Sequence, residues 1–278
     1  MFDKILLTGV SDMVLFDLRD PASSPFITKS VDGLGPTEMD ISTTQSVQGL
    51  GRLSGKRAQL REITFNLMLK PRYEVNETLA TVRDDLYRSY LRSVRSDDSL
   101  DLRIEFNNQE IARTPVHVKR LESNPFTKDA LMQLVLTSTD QYLHRDEPYL
   151  LEGAEAAQLS ATDPIFENIG TAPTGFFFSV RMLSEGTSFG LSRVVPNEKF
   201  EVVYDFEAGD ILEVDTRPGQ RRVLLHRGGS VLNALTGVSN TATWFSIPSG
   251  PSQFSVLPNS DVSFSWLKFE YNPLYLGV

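Results

Sequence analysis

Glu213 and Asp215 stand two residues apart in GDILEVDT (Gly209 to Thr216), a run that reads as a β-strand, so both carboxylates leave the same face. Two carboxylates facing one cleft can cleave a glycosidic bond, one as acid and the other as base or nucleophile. Neighbours on one strand face are also ordinary in any hairpin, and the sequence supplies no second element of such a site. The histidines His117, His144 and His226 are far apart and lack the paired spacing of common metal motifs. Gly33-Leu34-Gly35-Pro36-Thr37-Glu38 places Glu38 where a dinucleotide fingerprint needs its third glycine, and Pro36 removes an amide from the phosphate cradle. In Gly49 to Lys56, five residues rather than four separate Gly49 from Gly55, and Arg57 replaces the magnesium-holding Ser or Thr of a phosphate loop. The pairs Asp84-Asp85 and Asp97-Asp98 fall on the polar side or end of a helix, where solvation explains them. Trp244 and Trp266, with Phe176-Phe177-Phe178, offer aromatic faces for sugar stacking, although core packing competes for the same side chains. No cysteine is present, which removes thiolate chemistry and disulfides. The chain is therefore expected not to be an enzyme and to carry no cofactor or metal.

The elements that position these residues are mostly β-strands. In REITFNLML (Arg61 to Leu69), Ile63, Phe65, Leu67 and Leu69 alternate at period two, the strongest strand signal of the first half. Gly49, Gly51 and Gly55 mark the segment from Thr43 to Arg57 as a long flexible loop. One helix is expected from Asn76, as N-cap, to about Arg95, with Leu79, Val82, Leu86, Tyr87, Tyr90, Leu91 and Val94 on the apolar side. Arg88, Arg92 and Arg95 lie opposite, either as a solvated face or as a contact for an acidic neighbour. Strand runs follow at Leu100 to Phe106, Ile111 to Leu121 and Ala130 to Thr139, with Asn107-Asn108 as a hairpin turn. Periodicity then fails from Asp146 to Thr162, which reads as a domain connection.

Beyond it come short strands at Phe176 to Met182, Arg193 to Val195 with Phe200 to Phe206, Asp210 to Val214, Arg222 to His226, Thr243 to Ile247, Gln253 to Leu257 and Val262 to Tyr271. That density argues a sandwich. Arg217-Pro218-Gly219-Gln220 reads as a tight turn. In the last run the apolar phase changes from Val262, Phe264 and Trp266 to Leu267, Phe269 and Tyr271, which calls for a bulge or a strand covered on both faces. The fold class is mostly β with one prominent α-helix, in two domains, 1–150 and 151–278.

The 278 residues carry 27 basic and 36 acidic side chains, a net charge of −9. Residues 1–150 hold 19 basic against 22 acidic groups and residues 151–278 hold 8 against 14. Neither half forms the basic patch that dominates nucleic-acid affinity. No stretch of about 18 apolar residues runs together, so neither a membrane segment nor a signal-peptide core is expected.

Several motifs in order resemble one family. GLGP at Gly33, the glycine-spaced segment ending in Lys56-Arg57, REITFNLML and the arginine-bearing helix resemble the N-terminal half of siphophage distal tail proteins. NIGTAPTGFFFSV (Asn168 to Val180), GDILEVDT followed by RRVLLHRGG, and WLKFEYNPLYL (Trp266 to Leu276) resemble their C-terminal domain. The resemblance implies a structural virion protein forming a ring, usually a hexamer, at the distal end of a long non-contractile tail. Residues 1–150 would be a β-sandwich plus helix that builds the ring around the DNA channel, and 151–278 a galectin-like β-sandwich projecting outward. The implied partners are further copies of the chain, the tail tube protein, and hub, tail fibre or receptor-binding proteins, with synthesis in the host cytoplasm. DNA would pass without specific binding: six chains at −9 carry −54, and an acidic wall repels phosphates. Arg52, Lys56 and Arg57 on the glycine-rich segment, and Arg88 and Arg92 on the helix, are the candidate subunit contacts. The alternative is a carbohydrate-binding module for adsorption to host glycans, with Trp244 and Trp266 as stacking candidates, although the polar residues that lectin-type galectins use are missing around Trp244, Trp266 and His226.

Overall fold

The computed structural model describes the chain apart from residues 1, 10–12, 46–50, 96–98, 107–108, 124–129, 158–164, 194–197 and 258–260. It is mostly β and divides into two compact units, Met1–Asp146 with Tyr275–Val278, and Glu147–Leu274.

The first unit contains β1 (Lys4–Thr8), β2 (Met13–Asp17), β3 (Phe26–Asp32), β4 (Met39–Gln45), β5 (Gly51–Ala58), β6 (Arg61–Leu69), α1 (Leu79–Arg95), β7 (Leu100–Phe106), β8 (Gln109–Ser123), β9 (Leu131–Ser138) and β10 (Leu143–His144). Its main sheet runs β2-β1-β7-β8-β9-β6-β3. The 15-residue β8 lets one sheet become two layers. Up to Val116 it pairs with β7, from His117 it pairs with β9, and a bulge between Val118 and Arg120 bends it as it changes partner. Ile5, Leu7 and Leu102 from one layer meet Ile63, Phe65 and Leu134 from the other in a single core. The far edges β2 and β3 are joined by side chains: the hydroxyls of Ser24 and Thr28 donate to the carbonyls of Val14 and Leu15.

β6 is buried at every second residue, as its sequence predicts, but the phase begins one step earlier than the apolar residues do. Arg61 occupies the first buried position. The helix also starts later than expected. Asn76 adopts φ +60° and closes a short 3-10 turn over Tyr73–Val75, so it cannot be an N-cap, which needs an extended backbone. Thr78 caps the helix instead, its hydroxyl accepting the Thr81 N–H at 3.2 Å. Val82 and Leu86 are buried as expected, whereas Leu79 is exposed. The helix packs mainly on β8. Side chains from residue 89 onward, including Tyr90, Leu91, Val94, Arg92 and Arg95, and the turn residues Asn107 and Asn108, lie outside the described residues.

The second unit holds β11 (Tyr149–Glu152), α2 (Gly153–Ala157), β12 (Ile165–Asn168), β13 (Phe176–Met182), β14 (Gly186–Arg193), β15 (Glu198–Phe206), β16 (Ile211–Asp215), β17 (Arg222–Arg227), β18 (Ser230–Asn233), β19 (Gly250–Val256) and β20 (Phe264–Tyr271), followed by β21 (Leu274–Tyr275). A six-stranded sheet, β11-β20-β13-β16-β17-β18, faces a four-stranded sheet, β12-β19-β14-β15. Phe176 and Phe178 on β13 reach Phe254 on β19 and Phe189 on β14 with ring centroids 6.0 and 6.1 Å apart. Such tilted and edge-on contacts give a sandwich core both area and geometry.

Three expectations change here. Residues 149–157, part of the expected connection, are an edge strand paired to β20 and a helix whose Ala156 is fully buried. Thr243 to Ile247 is not a strand. It is irregular chain that plugs Phe245 and Ile247 into the core, and Ile247 bridges to Thr174. Of the strand expected at Arg193 to Val195, Arg193 is the last residue of β14, which begins at Gly186, and residues 194–195 lie outside the described residues. The phase change in β20 is a bulge: Ser179 opposes Lys268 but Val180 opposes Trp266, leaving Leu267 as the extra residue. That extra residue lets Trp266, Phe269 and Tyr271 all point into the core.

Candidate interaction site

The residues with chemical potential are spoken for by local partners. Asp215 is fully buried and clasped by Arg217, whose Nε and Nη2 lie 2.8 and 2.6 Å from its oxygens. Arg217 also reaches Glu270 at 3.2 Å, and Lys268 pairs with Glu270 at 2.5 Å. The bond to Asp215, and after it the cost of burial, sets the Arg217 pKa, which ends above its ordinary value. Glu213 turns instead to His226, 3.2 Å away. The two carboxylates thus have separate partners and do not converge on a cleft. Gly186-Thr187-Ser188-Phe189-Gly190 has the G-x-S-x-G form of a nucleophile elbow, a match that sequence inspection misses. It runs along β14, where Ser188 opposes Val203 in the ladder, whereas an elbow needs a sharp strand-to-helix turn. His144 pairs with Asp140 at 2.6 Å. Among the described residues no group of three or more potential ligands could hold a metal ion.

Trp266 is 5% exposed, with Phe178, Phe264 and Phe269 around it, so its ring faces cannot take a sugar. Trp244 is half-buried. Phe200 lies 4.8 Å from its centroid, and the Arg221 guanidinium stands 5.7 Å over the ring.

Among the described residues, β4 and β5 pair only with each other as strands. The segment expected as a loop from Thr43 to Arg57 is a hairpin, a two-stranded sheet separate from the main one. Met39 opposes Ala58, Asp40 opposes Arg57, Ile41 opposes Lys56 and Thr44 opposes Arg52. Its tip, residues 46–50, and the side chains of Arg52, Lys56 and Arg57 lie outside the described residues. Met39 and Ile41 project to the same side and are 49% and 60% exposed, and Leu60 just beyond the hairpin is 62% exposed. A lone two-stranded ribbon is marginal in water, and exposed apolar side chains on it are unspent burial energy. Arg88 on α1 is exposed and lies 3.7 Å from Asp85 on its own helix, a loose surface pair.

The base of the hairpin is the opposite in character. Arg61 is 2% exposed. Its Nη1 donates to the carbonyls of Gly35 at 2.8 Å and Gly33 at 3.2 Å, and its Nη2 donates to Gln141 at 3.0 Å and to Leu276. Burial pulls the guanidinium pKa down, opposed by the attraction of Asp140. Gly33 has φ +89°, and a Cβ there would lie 1.9 Å from the Glu62 carbonyl oxygen. A Cβ at Gly277 would meet the Gly35 backbone at 2.6 Å. The Val278 N–H donates to the Leu34 carbonyl at 3.0 Å, and the Gln59 N–H to the Glu38 carbonyl at 3.0 Å. Beside the knot is a polar cleft of 430 Å³ lined by Thr37, Glu38, Gln59 and Glu62. The sequence signal for Arg61 is an arginine in the buried phase of REITFNLML.

Comparison with known proteins gives the geometry a setting. Residues 169–275 match the family model described as the siphovirus-type tail component, C-terminal domain. No curated protein matches the chain by sequence. Among solved structures, the Dit protein of phage SPP1, described as a paradigm of the hub adsorption apparatus in phages infecting Gram-positive bacteria, aligns over 98% of both chains with a TM-score of 0.61 and 13% identity. Chains of the phage p2 baseplate in its activated conformation align over 97% of this chain, with strontium at a TM-score of 0.41 over 96% of that chain and with calcium at 0.42 over 97%, both at 12% identity. At 13% identity the SPP1 Dit likeness is one of fold. Together the match of residues 169–275 to the tail-component model and the shared fold uphold the resemblance to siphophage distal tail proteins.

Proposed function

We propose that this protein is a structural, non-catalytic subunit of a long non-contractile phage tail that forms a hexameric ring at the distal tip. The observation that carries the reading is the tail-component domain at residues 169–275, set in a chain whose full length shares the fold of SPP1 Dit. In this reading residues 1–150 build the ring around the DNA channel and residues 151–278 form an outward galectin-like domain. The ring joins the tail tube above to hub, fibre or receptor-binding proteins below, and DNA passes a net acidic wall without specific binding.

Within the ring, the β4–β5 hairpin is the arm that reaches a neighbouring subunit. Burying Met39 and Ile41 supplies the apolar part of that contact, at roughly 25 cal/mol per Å² removed from water. Arg52, Lys56 and Arg57 on β5, with Arg88 and Arg92 on α1, pair acidic groups of the partner. Deleting residues 46–55 leaves a folded monomer that no longer assembles, read by native mass measurement and sedimentation; wild-type assembly by the deletion would sink the arm. Gold labelling of an epitope on the chain in intact tails tests the location: signal at the tip is expected, and signal distributed along the tube excludes the distal reading.

A further inference from the structure

We infer that Arg61 is a positioning residue that aims the β4–β5 hairpin, by pinning the backbone on which the hairpin is mounted. The inference rests on the hairpin's being the assembly arm only for its consequence, not for its geometry. Four carbonyls from three separated stretches of chain converge on one guanidinium: Gly33 and Gly35 on the approach to β4, Gln141 before β10, and Leu276 in the returning end. All four acceptors are neutral backbone groups, and among the described residues no carboxylate lies in salt-bridge range of this buried cation. Nε makes no hydrogen bond at all.

A buried charge without a salt bridge is costly, and an apolar residue in the same buried phase of β6 would serve the core better. The arrangement therefore serves a purpose other than bulk stability. A planar fork fixes the mutual angles of the groups it binds, which a point-like ammonium cannot do. Here it fixes the carbonyls of Gly33 and Gly35, five and three residues before the chain leaves the body at Glu38. Gly33 and Gly277 carry no side chain because the backbones they touch already occupy that space. The result is a socket beneath a ribbon that, among the described residues, pairs with no other strand.

The chain has no cysteine, so two introduced ones are unique labelling sites. Spin labels at Ser42→Cys on β4 and Leu131→Cys on β9 report the angle between hairpin and body. The native Arg61 background is expected to give one narrow distance distribution. Arg61→Met is expected to lose the narrow peak, while hydrogen exchange at Ile63 and Phe65 stays protected, showing an intact β6. Arg61→Lys keeps the charge without the fork and is expected to lose the peak as well. A narrow distribution in folded Arg61→Met overturns the inference. So does failure of both variants to fold, since Arg61 would then be a requirement of the core. If the distances broaden as expected but deletion of residues 46–55 assembles normally, the socket stands and the hairpin is not the arm. If the distances do not broaden and the deletion fails to assemble, the arm stands and Arg61 does not aim it.

Discussion

Single side chains in this protein do structural work that their chemistry could mistake for catalysis. Asp210 is buried. Burial would raise its carboxyl, yet hydrogen bonds and charge from Arg227, with a backbone bond from Glu207, override that and hold it below the ordinary range. Asp261 is lowered chiefly by the Ser188 amide and the Thr187 hydroxyl and amide, which it gathers at the start of β14. A carboxyl that ionises more readily when folded stabilises the fold above the unfolded value, near pH 4, and that contribution is lost as pH falls through the folded value. The second unit should accordingly lose stability as pH falls below about 4. Asp210→Asn should flatten that decline while lowering stability at neutral pH. Chemical denaturation at stepped pH checks it, and an unchanged acid slope contradicts it. Trp266→Ala, opening a cavity among three aromatic rings, should cost the second unit about 3–5 kcal/mol in the same assay. Of these residues, the sequence made Trp266 visible as an aromatic but not its burial. It gave no hint of Asp210, because a clasp by a residue 17 positions away depends on which strands pair.

Elements were legible where hydrophobic period and local propensity agreed. REITFNLML and FFFSVRM announce β6 and β13 because alternating or continuous apolar residues leave few alternatives. The bulge in β20 was readable for the same reason: a change of phase within one strand needs an extra residue. Deleting Leu267 restores a regular ladder and turns residues 264–266 over, so Trp266 would face solvent; the second unit is expected to unfold, seen as loss of its near-ultraviolet tryptophan signal. Folding that survives this deletion would show that Leu267 is not the residue absorbing the shift. The β4–β5 hairpin reads as a loop in the sequence because Gly51 and Gly55 lie in β5, and glycine blanks the alternation that identifies a strand. Asn76 reads as a helix cap because a cap and a left-handed turn residue favour the same side chain. Residues 243–247 look like a strand because Phe245 and Ile247 are buried at alternate positions, and burial rather than ladder pairing is what apolar spacing reports.

At the scale of the molecule, two β units follow from density of strands and turns, but the return of residues 275–278 to the first unit carried no sequence signal. Apart from Tyr275, which packs on the first core, their attachment is made by backbone groups, the Leu276 carbonyl on Arg61 and the Val278 amide on Leu34. Backbone bonds are blind to side-chain identity. Removing residues 275–278 strips one charge-assisted bond and the Leu34 bond, and should lower the first unit by about 1.5–3 kcal/mol or more. Scanning calorimetry of the truncated chain should show the first unit's transition moved down and the second unit's transition in place; an unmoved first transition refutes the role of the return. The same return governs the order of events on the ribosome. Arg61 is synthesised 215 residues before the Leu276 carbonyl that completes its set. At about 5–20 residues per second it waits roughly 10–40 s, during which the whole second unit is made. A chain whose translation stops within the second unit therefore leaves one of the four acceptors of Arg61 unmade, so its socket is incomplete.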